Sequence, residues 1–253
     1  PIFCDVDPQS WNMTLQNVKD SFSTNTKAVL VVHTYGLVAD TKRISDFCKD
    51  NSLFLIEDAA EAHGQKIDKQ FCGSFGDIST FSFYANKHIT TGEGGILLTD
   101  SKNFYEEAKK IRNLDFDNKK RFQHENLYWN YRLSGLQAAL GNSQIKKLDK
   151  TINFKIKQGN FYRYLLSDAL DFIELPLKEH NGTVNHYWVF GILLKKENIR
   201  DKLIEELLKE GIETRPFFWP LHLQPVIKDI SKENKNLIIS EKLGRNGLYL
   251  PTG

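Results

Sequence analysis

Residues 28–58, AVLVVHTYGLVADTKRISDFCKDNSLFLIED, decide the fold. Residues 28–32 (AVLVV) and 53–56 (LFLI) are short, β-branched and apolar, the length and character of buried strands. Between them, residues 42–51 place Ile44, Phe47 and Cys48 at i, i+3 and i+4, one apolar face of a helix. A strand, a helix and a second strand in that order predict a parallel pair with a helical crossover.

Working outward, residues 78–83 (ISTFSF) and 95–99 (GILLT) read as two more strands, and Asp100-Ser101 caps a helix over 102–112. From Ser134 to about Leu170 the pattern is helical. Leu133, Leu136, Leu140, Ile145 and Leu148 form its apolar side, with Ala138, Ala139 and Gly141 allowing close packing. Beyond it the pattern changes. Residues 184–194 read as one strand, 199–210 as an amphipathic helix and 212–218 as another strand. The expected class is α/β: a mostly parallel large-domain sheet over 1–150 and a smaller α+β domain over 151–253. Pro1-Ile2-Phe3 reads as the tail of a strand, and with Met13 as the only methionine the chain reads as a fragment truncated at both ends.

The 253 residues are 40% hydrophobic, enough for a substantial core. The formal charge of +2, from 34 Lys+Arg against 32 Asp+Glu, argues against nucleic acid, which calls for a basic excess. Lys119-Lys120-Arg121 reads as solvated surface. Cys4, Cys48 and Cys72 are widely spaced with no C-x-x-C pair, which argues against a disulfide framework and for a reducing cytoplasm. No run approaches the ~20 apolar residues of a membrane span, and no charged-then-apolar signal peptide is evident. His33, His63, His88, His124, His180, His186 and His222 show no H-x3-H or H-E-x-x-H spacing, so no metal is expected.

Chemistry gathers where strands end. Leu55-Ile56-Glu57-Asp58 carries Asp58 to the carboxyl edge of the sheet, where open α/β sheets bind ligands. Asp58 serves equally well as a cap for the following turn. Ala59-Ala60-Glu61-Ala62-His63-Gly64 then supplies small residues for close approach and two polar groups at the same edge. Lys87 follows the strand ending at Phe83 and precedes the Gly-rich turn Gly92-Glu93-Gly94-Gly95. A plain surface lysine is the alternative reading. If the two strands are parallel, Lys87 emerges beside Asp58. A buried lysine forms Schiff bases with carbonyls. A carboxylate opposite it keeps a pyridine nitrogen protonated, which is what a pyridoxal phosphate site for amino transfer requires.

Several of these stretches, taken together and in order, resemble the DegT/DnrJ/EryC1/StrS family of pyridoxal-phosphate sugar aminotransferases. They are Glu57-Asp58-Ala59-Ala60-Glu61-Ala62-His63-Gly64, Gly73-Ser74-Phe75-Gly76-Asp77, Phe81-Ser82-Phe83-Tyr84-Ala85-Asn86-Lys87 and Thr91-Gly92-Glu93-Gly94-Gly95. The likeness continues through Asn130-Tyr131-Arg132-Leu133-Ser134-Gly135-Leu136-Gln137-Ala138-Ala139-Leu140-Gly141, Gly211-Ile212-Glu213-Thr214-Arg215-Pro216 and Pro220-Leu221-His222.

The resemblance implies the fold type I aminotransferase architecture and a role for each matching position. Lys87 is the lysine that attaches the cofactor and Asp58 the partner of its pyridine nitrogen. Glu61 falls near the phenolic oxygen, and Ser82 offers a hydroxyl to the phosphate, although a strand serine bonds its own backbone equally well. Asn130 reaches the phosphate of a neighbouring subunit, which implies a homodimer with shared active sites. The main phosphate-binding loop is expected upstream of residues 1–6. His88, Arg215 and His222 are candidate substrate contacts, but His88 reads rather as a side-wall or structural residue and 216–220 equally as a packed aromatic turn. Some family members carry histidine in place of the lysine and act as dehydratases; the spacing Ser82-x4-Lys87 and Lys87-x4-Gly92 favours Lys87. The expected reaction is a ping-pong transfer from an amino acid, glutamate, to a nucleotide-linked 4-keto-6-deoxy sugar. The runs over 82–87 and 89–95 are similar to those of perosamine synthases, which use a GDP-linked sugar. The alternatives are a related sugar dehydratase, a 3-aminotransferase, or a regulator that binds the cofactor without catalysis.

Overall fold

Helix α1 (Leu15–Ser21), begun by a Thr14–Asn17 capping box, leads into β1 (Ala28–Val32). Helix α2 (Thr41–Asp50) crosses over and β2 (Phe54–Asp58) returns parallel to β1, with Ala28 opposite Phe54 and Val32 opposite Asp58. The strand–helix–strand reading is realised. Val29, Val31 and Leu55 bury against Ile44 and Cys48 of α2 and Val18 of α1. A small hairpin, β3 (Lys66–Ile67) and β4 (Gln70–Phe71), escaped the sequence reading. Strand β5 (Ile78–Ser82) then pairs parallel to β2, and β6 (Gly95–Leu98) runs antiparallel to β5, giving the order β1-β2-β5-β6. The computed structural model describes residues 1–116, 122–227 and 237–252. The Lys119-Lys120-Arg121 cluster lies outside the described residues.

The expectation that these strands are buried on both faces is corrected. The face over α2 is sealed, while the alternate residues Leu30 and Phe54 are 52% and 54% exposed, because among the described residues α2 covers one side alone. Helix α3 (Lys102–Arg112), capped by Ser101, touches that open face through Phe104, edge-on to Phe54. The long helical pattern is two helices, α4 (Gly135–Ile145) and α5 (Leu148–Leu165), broken at Lys146-Lys147. The break divides the predicted apolar stripe between two axes, and Leu136 stands 87% exposed.

The second sheet is antiparallel in the order β11-β12-β10-β7. Its strands are β7 (Ile173–Glu174), β10 (Phe190–Leu194), β11 (Arg215–Pro216) and β12 (Gly247–Leu250), with the hairpin β8 (Glu179–His180) and β9 (Thr183–Val184) beside it. Helices α6 (Arg200–Lys209) and α7 (Ile238–Asn246) complete the chain. Residues 184–194 therefore do not form one strand. The Asn185 side chain accepts from the Tyr187 amide and donates to the Leu177 carbonyl, and Tyr187 sits at φ 47°. That turn separates β9 from β10. The strand read over 212–218 shrinks to Arg215–Pro216, since Pro216 has no N–H for a ladder. Pro1-Ile2-Phe3 forms no strand either. That segment delivers Asp5, whose carboxylate accepts from the Ile239 and Ser240 amides at the start of α7. No helix among the described residues is long and apolar enough to cross a membrane.

Candidate active site

Parallel pairing of β2 with β5 sets the carboxyl end of each strand on the same edge, and the predicted chemistry converges there. Asp58 ends β2. Its backbone is pinned because its carbonyl accepts from the His33 amide. Its half-buried carboxylate accepts from the Ala60 amide through Oδ1 at 3.0 Å. Beyond β5, the Lys87 amide closes a turn on the Tyr84 carbonyl and aims the side chain back at this edge.

The Lys87 amine lies 3.3 Å from Glu61 Oε1, with both side chains 9% exposed. The surface-lysine alternative is thereby removed. Glu61 Oε2 accepts from the Tyr35 amide at 2.8 Å. Burial pushes the Glu61 carboxyl up to about 7, against the pull of the Lys87 charge and the Tyr35 N–H; the Asp58 charge adds to the rise. A carboxyl so poised can exchange a proton with an adjacent amine near neutrality. The amine also lies over the Trp188 indole, 3.8 Å from the ring centroid.

Of the neighbouring pair, Lys87 faces Glu61 and His88 does not. His88 is 4% exposed, packed edge-on between His63 and His186, with Nε2 at 3.3 Å from the His186 carbonyl. The ring is thus packed in the wall, the arrangement of its side-wall reading. Burial drives His88 down to about 3 and His63 down to about 4, the Lys87 charge adding to the fall at His63. Both rings are neutral. The His63 ring also packs against Phe81 at 5.3 Å and Phe83 at 6.2 Å.

The remaining predicted residues are dispersed. The Ser82 hydroxyl ends β5 and accepts from the Tyr84 amide at 3.2 Å, the local bonding that was its alternative reading. Asn130 is exposed, bridged to Asn113 and accepting from the Arg132 amide. Among the described residues it meets no other predicted site residue. Arg215 is exposed and paired with Glu213 at 2.8 Å. It neighbours Tyr249, whose phenol burial raises, the Arg215 charge lowers and the Glu61 charge raises. His222 pairs with Glu241 at 3.2 Å and, with Tyr35 and Phe218, lines a cavity of about 220 Å³. Trp188 and Tyr35 were missed by sequence reading. Trp188 lay in a run read as continuous strand, and Tyr35-Gly36 passed as connecting loop.

A second polar cluster sits under the site. His33, Glu57 and Cys72 lie close enough to suggest a metal, but the donors say otherwise. Glu57 accepts from His33 Nε2 at 2.9 Å and from the Gly73, Phe75 and Gly76 amides and the Ser79 hydroxyl. His33 Nδ1 accepts from the Ala39 amide, which leaves the ring proton on Nε2 for Glu57. Burial works to raise the Glu57 carboxyl, yet the His33 contact and the surrounding amides hold it below the ordinary value. Burial pushes the Cys72 thiol up, so it stays protonated. The Glu57 carboxylate and His33 Nδ1 are thus already committed to donors of the protein itself.

The residues at the strand edge fit pyridoxal phosphate. They offer a buried amine for the aldehyde, a carboxyl that can take that amine's proton, and a second carboxylate at a strand end. Among the described residues, Oδ2 of that Asp58 carboxylate takes no hydrogen bond.

The sequence profile of the DegT/DnrJ/EryC1/StrS aminotransferase family matches residues 1–253. The chain is 36% identical over 257 residues to a GDP-perosamine synthase of Vibrio cholerae, covering 100% of this chain and 68% of that protein. It is 34% identical over 252 residues to a GDP-perosamine synthase of Escherichia coli O157:H7, covering 100% and 67%. Among solved structures, the aminotransferase TlmJ from Streptoalloteichus hindustanus superposes with a TM-score of 0.90 at 28% identity, covering 99% of this chain and 67% of that one. A GDP-4-keto-6-deoxy-D-mannose-3-dehydratase from E. coli, solved with hydrated PLP bound, gives 0.87 at 25% identity, covering 98% and 68%. Profile, relatives and fold agree: this chain belongs to the DegT/DnrJ/EryC1/StrS aminotransferase family, with a pyridoxal phosphate cofactor.

Proposed function

We propose that the protein transfers an amino group from glutamate to a GDP-linked 4-keto-6-deoxy sugar; two relatives carry the name GDP-perosamine synthase, which supports a GDP-linked sugar as the acceptor. The coarser statement, a nucleotide-sugar aminotransferase, rests on the family as a whole. The observation that carries the reading is the buried Lys87–Glu61 pair on the sheet edge that Asp58 ends.

When bound, pyridoxal phosphate supplies an electron sink for the charge left as the donor's α-proton departs. The chain's residues do the rest. Lys87 Nζ would be the attachment point for the aldehyde and, when free, the base placed to take up and give back a proton. Glu61 receives and returns a proton at the lysine amine. Asp58 supplies the negative charge that keeps a ring nitrogen protonated. Neutral His63 and His88 close the wall behind the lysine, which excludes water and strengthens each electrostatic contact. Ser82 offers a hydroxyl to the phosphate, and Arg215 and His222 stand toward the nucleotide sugar. Asn130, on the exposed surface, serves a neighbouring subunit in a homodimer. The same reading gives residues 1–150 to cofactor binding and 151–253 to a smaller second domain, in a cytoplasmic protein. Because Lys87 and not His88 meets Glu61, amino transfer is favoured over the dehydratase alternative.

The test is spectroscopic. The protein carrying cofactor should show visible absorption that glutamate bleaches and the keto sugar restores, with the amino sugar detected by mass spectrometry. Lys87→Ala should lose both the lysine-bound absorption and turnover. Absorption indifferent to every amino donor would overturn the reading.

A further inference from the structure

Trp188 belongs to the segment leading into β10 of the second sheet, yet its indole lies under the amine of Lys87 at 3.8 Å. The ring is buried and clamped. Its Nε1–H donates to the carbonyl of Asn86, the residue before Lys87, at 2.9 Å. It stacks on Phe218 at 6.2 Å and leans on Tyr249 at 6.4 Å. Phe218 in turn stacks on Tyr35 at 5.3 Å, and the Tyr35 amide holds Glu61. Lys87, Trp188, Phe218, Tyr35 and Glu61 thus form a closed ring of contacts, with the lysine amine between the two members that touch it.

A lysine stem is long and flexible. One contact at Glu61 Oε1 leaves the amine free to pivot, whereas a reacting amine has to hold a single approach. An aromatic face supplies the second restraint, since its negative quadrupole attracts an ammonium most strongly where water is excluded. The indole N–H adds a third by fixing the turn on which Lys87 stands. We propose that Trp188 is the positioning residue of Lys87: its ring face holds the amine on line with Glu61, and its N–H anchors the Asn86–Lys87 turn. This rests on the reading of Lys87 as the attachment residue.

The experiment compares the parent with Trp188→Phe, Trp188→Leu and, as control, Phe190→Leu, which empties a buried aromatic position of the second sheet packed against Tyr162 and Tyr187. In the apoprotein, trace acetylation read by mass spectrometry reports how freely the Lys87 amine reacts. In the holoprotein, single turnovers with glutamate report rate and half-saturation separately. Loss of the ring face in Trp188→Leu should slow the single turnover about tenfold, a change inside the range of a desolvated cation–π contact. Half-saturation by glutamate should stay as in the parent, and Lys87 acetylation should rise. Trp188→Phe, keeping a face but no N–H, should fall between, and Phe190→Leu should match the parent in both readouts. Parent-like rates and labelling in Trp188→Leu would overturn the proposal, as would equal effects in Phe190→Leu or a change confined to half-saturation. Should Lys87→Ala keep the visible absorption, the attachment reading fails by itself, and the acetylation series still decides whether Trp188 holds the amine.

Discussion

The Tyr35 amide, held at φ 63°, donates to Glu61 Oε2 across 2.8 Å. A left-handed backbone is uncommon for a bulky residue and persists where surrounding contacts enforce it. Here they do: the Tyr35 hydroxyl accepts from the Phe218 amide at 3.0 Å, and its ring packs on Phe217 at 4.3 Å. The carboxyl facing Lys87 is therefore oriented by a residue anchored in a distant segment of the chain.

Glu61 should make the apoprotein's stability depend on pH. Its folded value, about 7, lies above the ordinary 4.5, so the folded state keeps a proton that the unfolded state has released. Its contribution is full below 4.5 and is lost as pH rises to about 7. In Glu61→Gln that loss disappears, so the difference in unfolding free energy between parent and variant should change by about 3 kcal/mol across the window. Urea unfolding over that range checks it. Parallel curves would refute the assignment.

The buried histidines predict the opposite slope. His63 and His88 fall from 6.5 to about 4 and about 3, chiefly through burial. Both stay neutral in the folded protein while the unfolded chain charges, so their contribution is full above 6.5 and is lost as acid is added. Substituting His88→Asn should flatten this acid limb in a series of thermal melts, and an unchanged limb would move the effect elsewhere.

Glu57 should matter through its shell of donors. Glu57→Ala strands the Gly73 and Phe75 amides and the His33 ring N–H, and each buried donor left without its acceptor costs about 1–3 kcal/mol. Denaturant titration measures it. A chelator should leave the melting temperature of the parent unchanged; a drop would show that the His33–Glu57–Cys72 cluster binds metal after all.

Gly36 should tolerate no side chain. It sits at φ 88°, and an added Cβ would come to 2.4 Å from the Trp188 amide nitrogen. Backbone cannot yield as a flexible side chain does, so Gly36→Ala should destabilise by more than about 2 kcal/mol. It should also loosen the approach of Trp188 to Lys87. A variant of parental stability, measured by calorimetry, would mean this loop is softer than its contacts indicate.

The sequence by itself determined the parallel β1–α2–β2 unit, because an apolar period of three to four between two β-branched runs has one economical packing. It also placed Asp58, Glu61 and Lys87 at one edge of the sheet, because a residue's place after a strand fixes the edge on which it emerges. Local pattern failed where the signal was not local. Residues 184–194 read as a strand because apolar composition is blind to the turn that Asn185 imposes through its own side chain. Spacing in the sequence favoured Lys87 over His88, but only packing shows the Lys87 amine turned toward Glu61 and the His88 ring set between His63 and His186. Only the tertiary structure decided that Tyr35 orients Glu61 and that Trp188 carries the lysine amine. Both contacts join residues far apart in the chain, and which side chain meets which across such a gap is set by packing density in three dimensions and leaves no periodicity in the sequence.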